Sequence, residues 1–180
     1  MPRVPSLSRG DLPENDRYIY DEIASSRGEV VGPFSVLLNS PKAARRIAHL
    51  GAYIRFQSAL PVSVRELVIL TTAREWDCQL EWTSHEPLAR KAGIREEAIR
   101  AIRDQAAPQG LKPEEATVVR YCQEVLREHR VSEETFREAS ERFGDQGVTE
   151  LTATLGYYSM LAAILNALEV EPETEPLLPL

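Results

Sequence analysis

The chain has 180 residues, 43% of them apolar and 27% charged, with a net charge of −7. It is long enough to bury a core as one domain and too apolar to be disordered. Lysine and arginine are scattered among the acids without a basic stripe, so nucleic acid is not an expected partner.

In chain order, Met1-Pro2-Arg3-Val4-Pro5-Ser6 leads into no apolar run, so no signal peptide is expected. Pro13 to about Arg27 predicts a first helix, broken by Gly28 and Gly32-Pro33. Ser40 as cap and Pro41 at the first helical position open the next helix, with Ile47, Leu50, Tyr53 (or Ile54) and Gln57 on one side. Pro61 opens a helix whose apolar face carries Val64, Leu67, Val68 and Thr71 and whose polar side carries Arg65 and Glu66. A break falls near Asp77. Gln79 to Ala92 predicts a helix closed by Gly93, and Ile94 to Gln105 another, followed by a loop over 106–110. Pro113 opens a long helix to about His129. Ser132-Glu133-Glu134 starts one ended by Gly144, and Gly147 to Leu168 is the last. Its apolar run from Leu155 is interrupted by Gly156, Tyr157, Tyr158, Ser159 and Asn166, which favours a core helix over a membrane span. The whole reads as an all-α, single-domain helical bundle over 1–180, with its core at about 27–170 and a polar tail over 171–180. No strand is expected. The apolar residues on nearly every side of Leu155 to Leu168 suit either a central bundle helix or a self-association surface.

The chemistry-bearing residues gather between Glu66 and His85. Glu81 and His85, four apart, share one helix face, and Cys78, three before Glu81, joins it. A carboxylate beside an imidazole stabilises the protonated ring and fixes its tautomer, while desolvation opposes the charge. Such a pair suits general acid–base work. Glu66 on the preceding helix comes back over the same place if the hairpin is tight, and Trp82 flanks the face as a wall against water and a substrate-binding contact. An i,i+4 Glu–His pair is also a common surface feature, so spacing alone does not make a site. Cys78 is a nucleophile only if a neighbour lowers its pKa, and Asp77 and Glu81 act the other way; packing is the simpler role. Cys122, among Val118, Val119 and Val125, reads as core. Two cysteines make no disulfide framework and fit a reducing cytoplasm. A metal site is not expected: Glu81 and His85 are spaced by four rather than three, and His49 and His129 have no partner in sequence. No cofactor fingerprint is present.

Arg65-Glu66-Leu67-Val68-Ile69-Leu70, Glu81-Trp82 with His85, and Ala89-Arg90-Lys91-Ala92-Gly93-Ile94 together resemble the carboxymuconolactone decarboxylase superfamily, which includes the alkylhydroperoxidase D-type proteins. Gly32-Pro33-Phe34, Ser40-Pro41 and the terminal Tyr157-Tyr158 … Leu165-Asn166-Ala167-Leu168 extend the likeness over roughly Arg27 to Val170. The resemblance implies an all-helical fold assembling as a homotrimer or hexamer. Its redox branch uses a glutamate, two cysteines three apart and a histidine. The matching positions are Glu66, Cys78, Glu81 and His85, so the second cysteine is missing and an internal dithiol cycle cannot run. The chain is placed in the decarboxylase-like branch. It is expected to act, without a cofactor, as a lyase or isomerase on a small carboxylated lactone or unsaturated acid. His85 is the acid/base, Glu81 its orienting partner, Glu66 a second proton-handling group, and Arg74 or Arg55 holds the substrate carboxylate. The alternatives are a thiol peroxidase using Cys78 and a non-catalytic small-molecule-binding oligomer.

Overall fold

The computed structural model describes residues 1–107, 110–175, 177 and 178. The expected loop at 106–110 and the tail at 171–180 lie partly outside them. Among the described residues there is no strand, and eight α-helices follow two short 3-10 turns. The chain divides into two compact units, one of 1–58 with 164–173, the other of 59–163 with 174–180.

In the first unit α1 (Arg17–Arg27), α2 (Pro33–Leu37) and α3 (Pro41–Phe56) enclose a small core of Leu12, Ile19, Ile23, Phe34, Leu38, Ala44 and Ala48. The first helix starts four residues later than Pro13 because 14–16 is a 3-10 turn. Gly28 (φ 85) ends α1 in a conformation that costs other residues more, and Gly32-Pro33, expected only to break the chain, opens the short α2. The buried face of α3 matches the expected one at Ile54, the alternative to Tyr53, and in part at Ile47; Ala44, Ala48 and Gly51 are buried as well, while Leu50 and Tyr53 are exposed. Small residues let α3 approach α1 closely, and counting only large apolar side chains hides that face.

The second unit is built on α4 (Val62–Glu75), which packs against α5 (Gln79–Lys91), α6 (Glu96–Arg103) and α7 (Pro113–Glu128). Surrounded so, α4 is buried from Glu66 continuously to Ala73. Asp77 (φ 48) makes the tight reversal into α5, whose N-cap is Cys78. α8 (Glu133–Ala167) bends at Gly144 (φ 65, ψ 179), where the sequence placed a helix end. Leu151 and Leu155 from α8 join Leu67, Leu70, Trp82, Ile99 and Val118 in one core. α8 is the one described helix long and apolar enough to cross a membrane; 56% of its apolar window is buried in the protein, as in a core helix. Residues 173–175 of the tail are exposed as its composition implies, but Leu178 is buried in the second core.

Candidate active site

Glu66 stands in the second turn of α4, and Glu81 and His85 in the first and second turns of α5. The reversal at Asp77 lays these helices side by side, and three polar side chains meet where both faces are buried. Glu66, Glu81 and His85 are each at most 7% exposed. His85 Nδ1 lies 2.8 Å from Glu66 Oε2, and His85 Nε2 lies 3.5 Å from Glu81 Oε2. The imidazole is thus held between two carboxylates, one on each ring nitrogen. The nearer partner is Glu66, from the other helix; the sequence reading gave that orienting role to Glu81.

The Nδ1 contact is a hydrogen bond and Nε2 faces the Glu81 carboxyl at longer reach, so the three groups lie along one line, from Glu66 through the ring to Glu81. Such a line can move a proton to or from whatever meets Glu81 or the Nε2 edge.

Two further features shape the site. Tyr158, from α8, stacks edge-to-face with the His85 ring at 5.3 Å and 87°, and Tyr157 packs on Tyr158 in the same manner. In the sequence Tyr158 stands among the residues that interrupt the apolar run of the last helix, and nothing in its spacing points to His85. Pro87 sits inside α5 two residues after His85. Having no N–H, it leaves the Thr83 carbonyl without its helical donor one turn back.

The remaining expected residues are arranged differently. Trp82 has no exposed surface and lies in the hydrophobic core, so it supports the site from behind and offers no face to a substrate. Arg74 is about 12 Å along α4 from Glu66 by helical rise. Its Nε donates to the Arg103 carbonyl at 2.6 Å, and its guanidinium pairs with Asp77. Those bonds staple the end of α4, and the structure does not bring Arg74 to the cluster. Arg55 belongs to the first unit, with its guanidinium 5.5 Å from the neighbouring Phe56 ring. Cys78 is buried at the N-cap of α5. Cys122 is core, as expected: burial pushes its thiol far above the ordinary value, and the Glu75 carboxylate adds to that. Among the described residues no group of three His, Cys, Asp or Glu side chains is arranged to hold a metal ion. A cleft of about 480 Å³, lined by Tyr121, Phe136, Asp145 and Thr152 among others, shares no residue with the cluster.

The chain has the all-helical architecture of the AhpD-like proteins. It superposes with a TM-score of 0.77 on an uncharacterised peroxidase-related protein from Ralstonia eutropha with an alkylhydroperoxidase AhpD core, at 18% identity over 96% of this chain and 92% of that one. It is similar to the debrominase Bmp8, solved as a cysteine-to-alanine variant with 2,3,4-tribromopyrrole, at TM-score 0.76 and 13% identity over 95% of this chain and 91% of that one. A protein of unknown function from Agrobacterium tumefaciens matches at TM-score 0.68 and 14% identity, over 81% of this chain and all of that one. At these identities the likeness is one of fold. None of the curated proteins matches the chain. Residues 41–124, which include Glu66, Cys78, Glu81 and His85, match the model of the Carboxymuconolactone decarboxylase family. By that match and by its fold the chain is similar to the carboxymuconolactone decarboxylase and AhpD-like proteins.

Proposed function

We propose that the chain is a cofactor-free lyase or isomerase that handles one proton on a small carboxylated lactone or unsaturated acid. The observation that carries this reading is the buried line Glu66–His85–Glu81, with both ring nitrogens engaged. In a decarboxylation the bond from carbon to the carboxylate breaks, carbon dioxide leaves, and the electron pair passes into a conjugated carbonyl as an enolate. A proton must then be delivered to carbon. His85 supplies it, directly from Nε2 or through the Glu81 carboxyl, and Glu66 holds the ring in the tautomer and orientation that the transfer needs. Run without loss of carbon dioxide, the same line supports an isomerisation. His85→Ala and Glu81→Gln should each lower turnover at least a hundredfold, since general acid–base groups contribute ~10² to 10⁴. Unchanged kinetics in both variants refute the assignment. A thermal-shift screen of lactones, keto acids and aromatic-degradation intermediates finds the substrate, because a ligand that binds only the folded state raises its melting temperature.

One observation favours a second reading. Cys78 is the N-cap of α5, the helix that carries Glu81 and His85, and a thiol at that place would suit a single-thiol peroxidase resolved by an external thiol. The peroxidase-related likeness leans the same way. Peroxide consumption that Cys78→Ser abolishes would support it; no peroxide turnover rules it out. Assembly as a homotrimer or hexamer in the cytoplasm belongs to the proposal. Leu50, Tyr53 and Phe56 remain exposed along α3, the kind of strip a second copy covers, and sedimentation velocity tests it.

A further inference from the structure

Outside the acid–base cluster, α5 carries a second buried polar contact. Gln79, its first residue, is 5% exposed. Its carboxamide pairs with the backbone of Leu178, 99 positions along the chain: Gln79 Nε2 donates to the Leu178 carbonyl at 2.9 Å, and Leu178 N–H donates to Gln79 Oε1 at 3.0 Å. The Leu178 side chain is itself 5% exposed and part of the core of the second unit. Gln79 therefore reads both main-chain polar groups of one residue, donor and acceptor together, while an apolar socket takes the isobutyl group. That is recognition of a peptide segment rather than incidental packing of a chain end.

The approach to this anchor is bare. Among the described residues from 171 to 177 none is buried; only Pro172 is even half-covered, and Glu171, Glu173 and Glu175 are exposed. Among the described residues of this segment Leu178 alone is buried, and its two hydrogen bonds and side chain make the anchor. Gln79 directly follows Cys78, which is 1% exposed, and stands two residues before Glu81.

We propose that the C-terminal segment is a strap, docked through Leu178 into a peptide-reading socket at Gln79, which closes the amino-terminal end of α5 and shields Cys78. Release of the strap opens that end of the helix while the rest of the second unit stays folded. The inference is independent of the reaction the acid–base cluster carries out, so its test uses no turnover.

Cys78 and Cys122 together make the test. The full-length protein is labelled with iodoacetamide under native conditions, and the two sites are followed separately by peptide mass spectrometry. Cys122 lies in the centre of the core and reports global opening only. In Leu178→Asp, which puts a charge in the socket, labelling of Cys78 should rise at least tenfold with Cys122 unchanged. Gln79→Ala, which removes both hydrogen bonds and leaves the leucine, should give a smaller rise at Cys78 alone. Cys78 labelling that stays at the wild-type rate in Leu178→Asp overturns the strap. A parallel rise at both cysteines also overturns it, since that is loss of global stability. No rise in Gln79→Ala removes the hydrogen-bonded reading of the socket.

Discussion

Replacing Glu66 by glutamine keeps the size of the side chain and removes its charge, which makes it the sharpest probe of the proton line. In the native site the carboxylate accepts from His85 Nδ1–H at 2.8 Å, with the two side chains only 10% and 9% exposed. A hydrogen bond to a charged partner contributes ~1.5–3 kcal/mol and a neutral one ~0.5–1.5 kcal/mol. The exchange therefore removes roughly 1–1.5 kcal/mol, or about tenfold in an equilibrium. The loss in rate should be larger. The glutamine amide can turn its NH₂ toward Nδ1, and the ring then carries its proton on Nε2 and accepts at Nδ1. Catalysts that depend on a carboxylate-oriented imidazole lose up to ~10⁴ from the wrong tautomer. The expected result is a fall in kcat of ten to ten-thousandfold, with KM nearly unchanged, because the interaction matters to proton transfer rather than to binding. Nitrogen-15 NMR of the imidazoles gives an independent reading. With three histidines in the chain, His49, His85 and His129, each can be assigned by substitution, and the His85 tautomer should change in Glu66→Gln. A native kcat together with an unchanged His85 spectrum refutes the role given to Glu66.

Further expectations follow from contacts elsewhere. Burial raises the Glu115 carboxyl, but hydrogen bonds from Arg95 and from the Lys112 N–H outweigh that and leave it lowered from its ordinary 4.5. A lowered carboxyl stabilises the fold above its unfolded value, and that contribution is lost as pH falls through the folded value. Urea titrations should thus show Glu115→Gln about 1–2 kcal/mol less stable than wild type at neutral pH, with the gap closing below 4.5; a gap that widens in acid contradicts the pairing. Gly147→Ala should destabilise despite the better helix propensity of alanine: its Cβ would lie 2.6 Å from the Phe143 Cβ, and the overpacking cost of ~1–3 kcal/mol exceeds the ~1 kcal/mol of propensity. A higher melting temperature in that variant refutes this account of the bend. Gly144→Ala meets no atom within 4 Å, yet should cost ~1–3 kcal/mol from backbone strain at φ 65, ψ 179, measured by the same unfolding curves.

The sequence carried much of this architecture where local chemistry decides it. Proline and glycine marked the starts of α3 and α7, the end of α5 and the bend in α8, because their backbone limits act whatever the tertiary surroundings. Period-three and period-four spacing put Glu81 and His85 on one face for the same reason. What depended on packing between distant segments was less legible. Glu66 sits on what reads as the polar side of α4, and only the enclosure of that helix by three others turns it inward. The face of α3 built from Ala44, Ala48 and Gly51 was hidden because close approach, not side-chain size, buries it. Arg74 looked available for a carboxylate, but the turn at Asp77 and the end of α6 claim its donors. Tyr158 meets His85, and Leu178 meets Gln79, across separations that no window along the chain spans.

The central claim is that Glu66, His85 and Glu81 deliver a proton to carbon. The most direct measurement is turnover in deuterium oxide of whichever carboxylated lactone or unsaturated acid the thermal-shift screen selects, with carbon dioxide and product deuterium followed together. One deuterium is expected at the carbon that received the proton, one carbon dioxide per turnover if the reaction is a decarboxylation, and both rates at least a hundredfold lower in His85→Ala. Product that forms at the same rate in His85→Ala, or that carries no solvent deuterium, would contradict it.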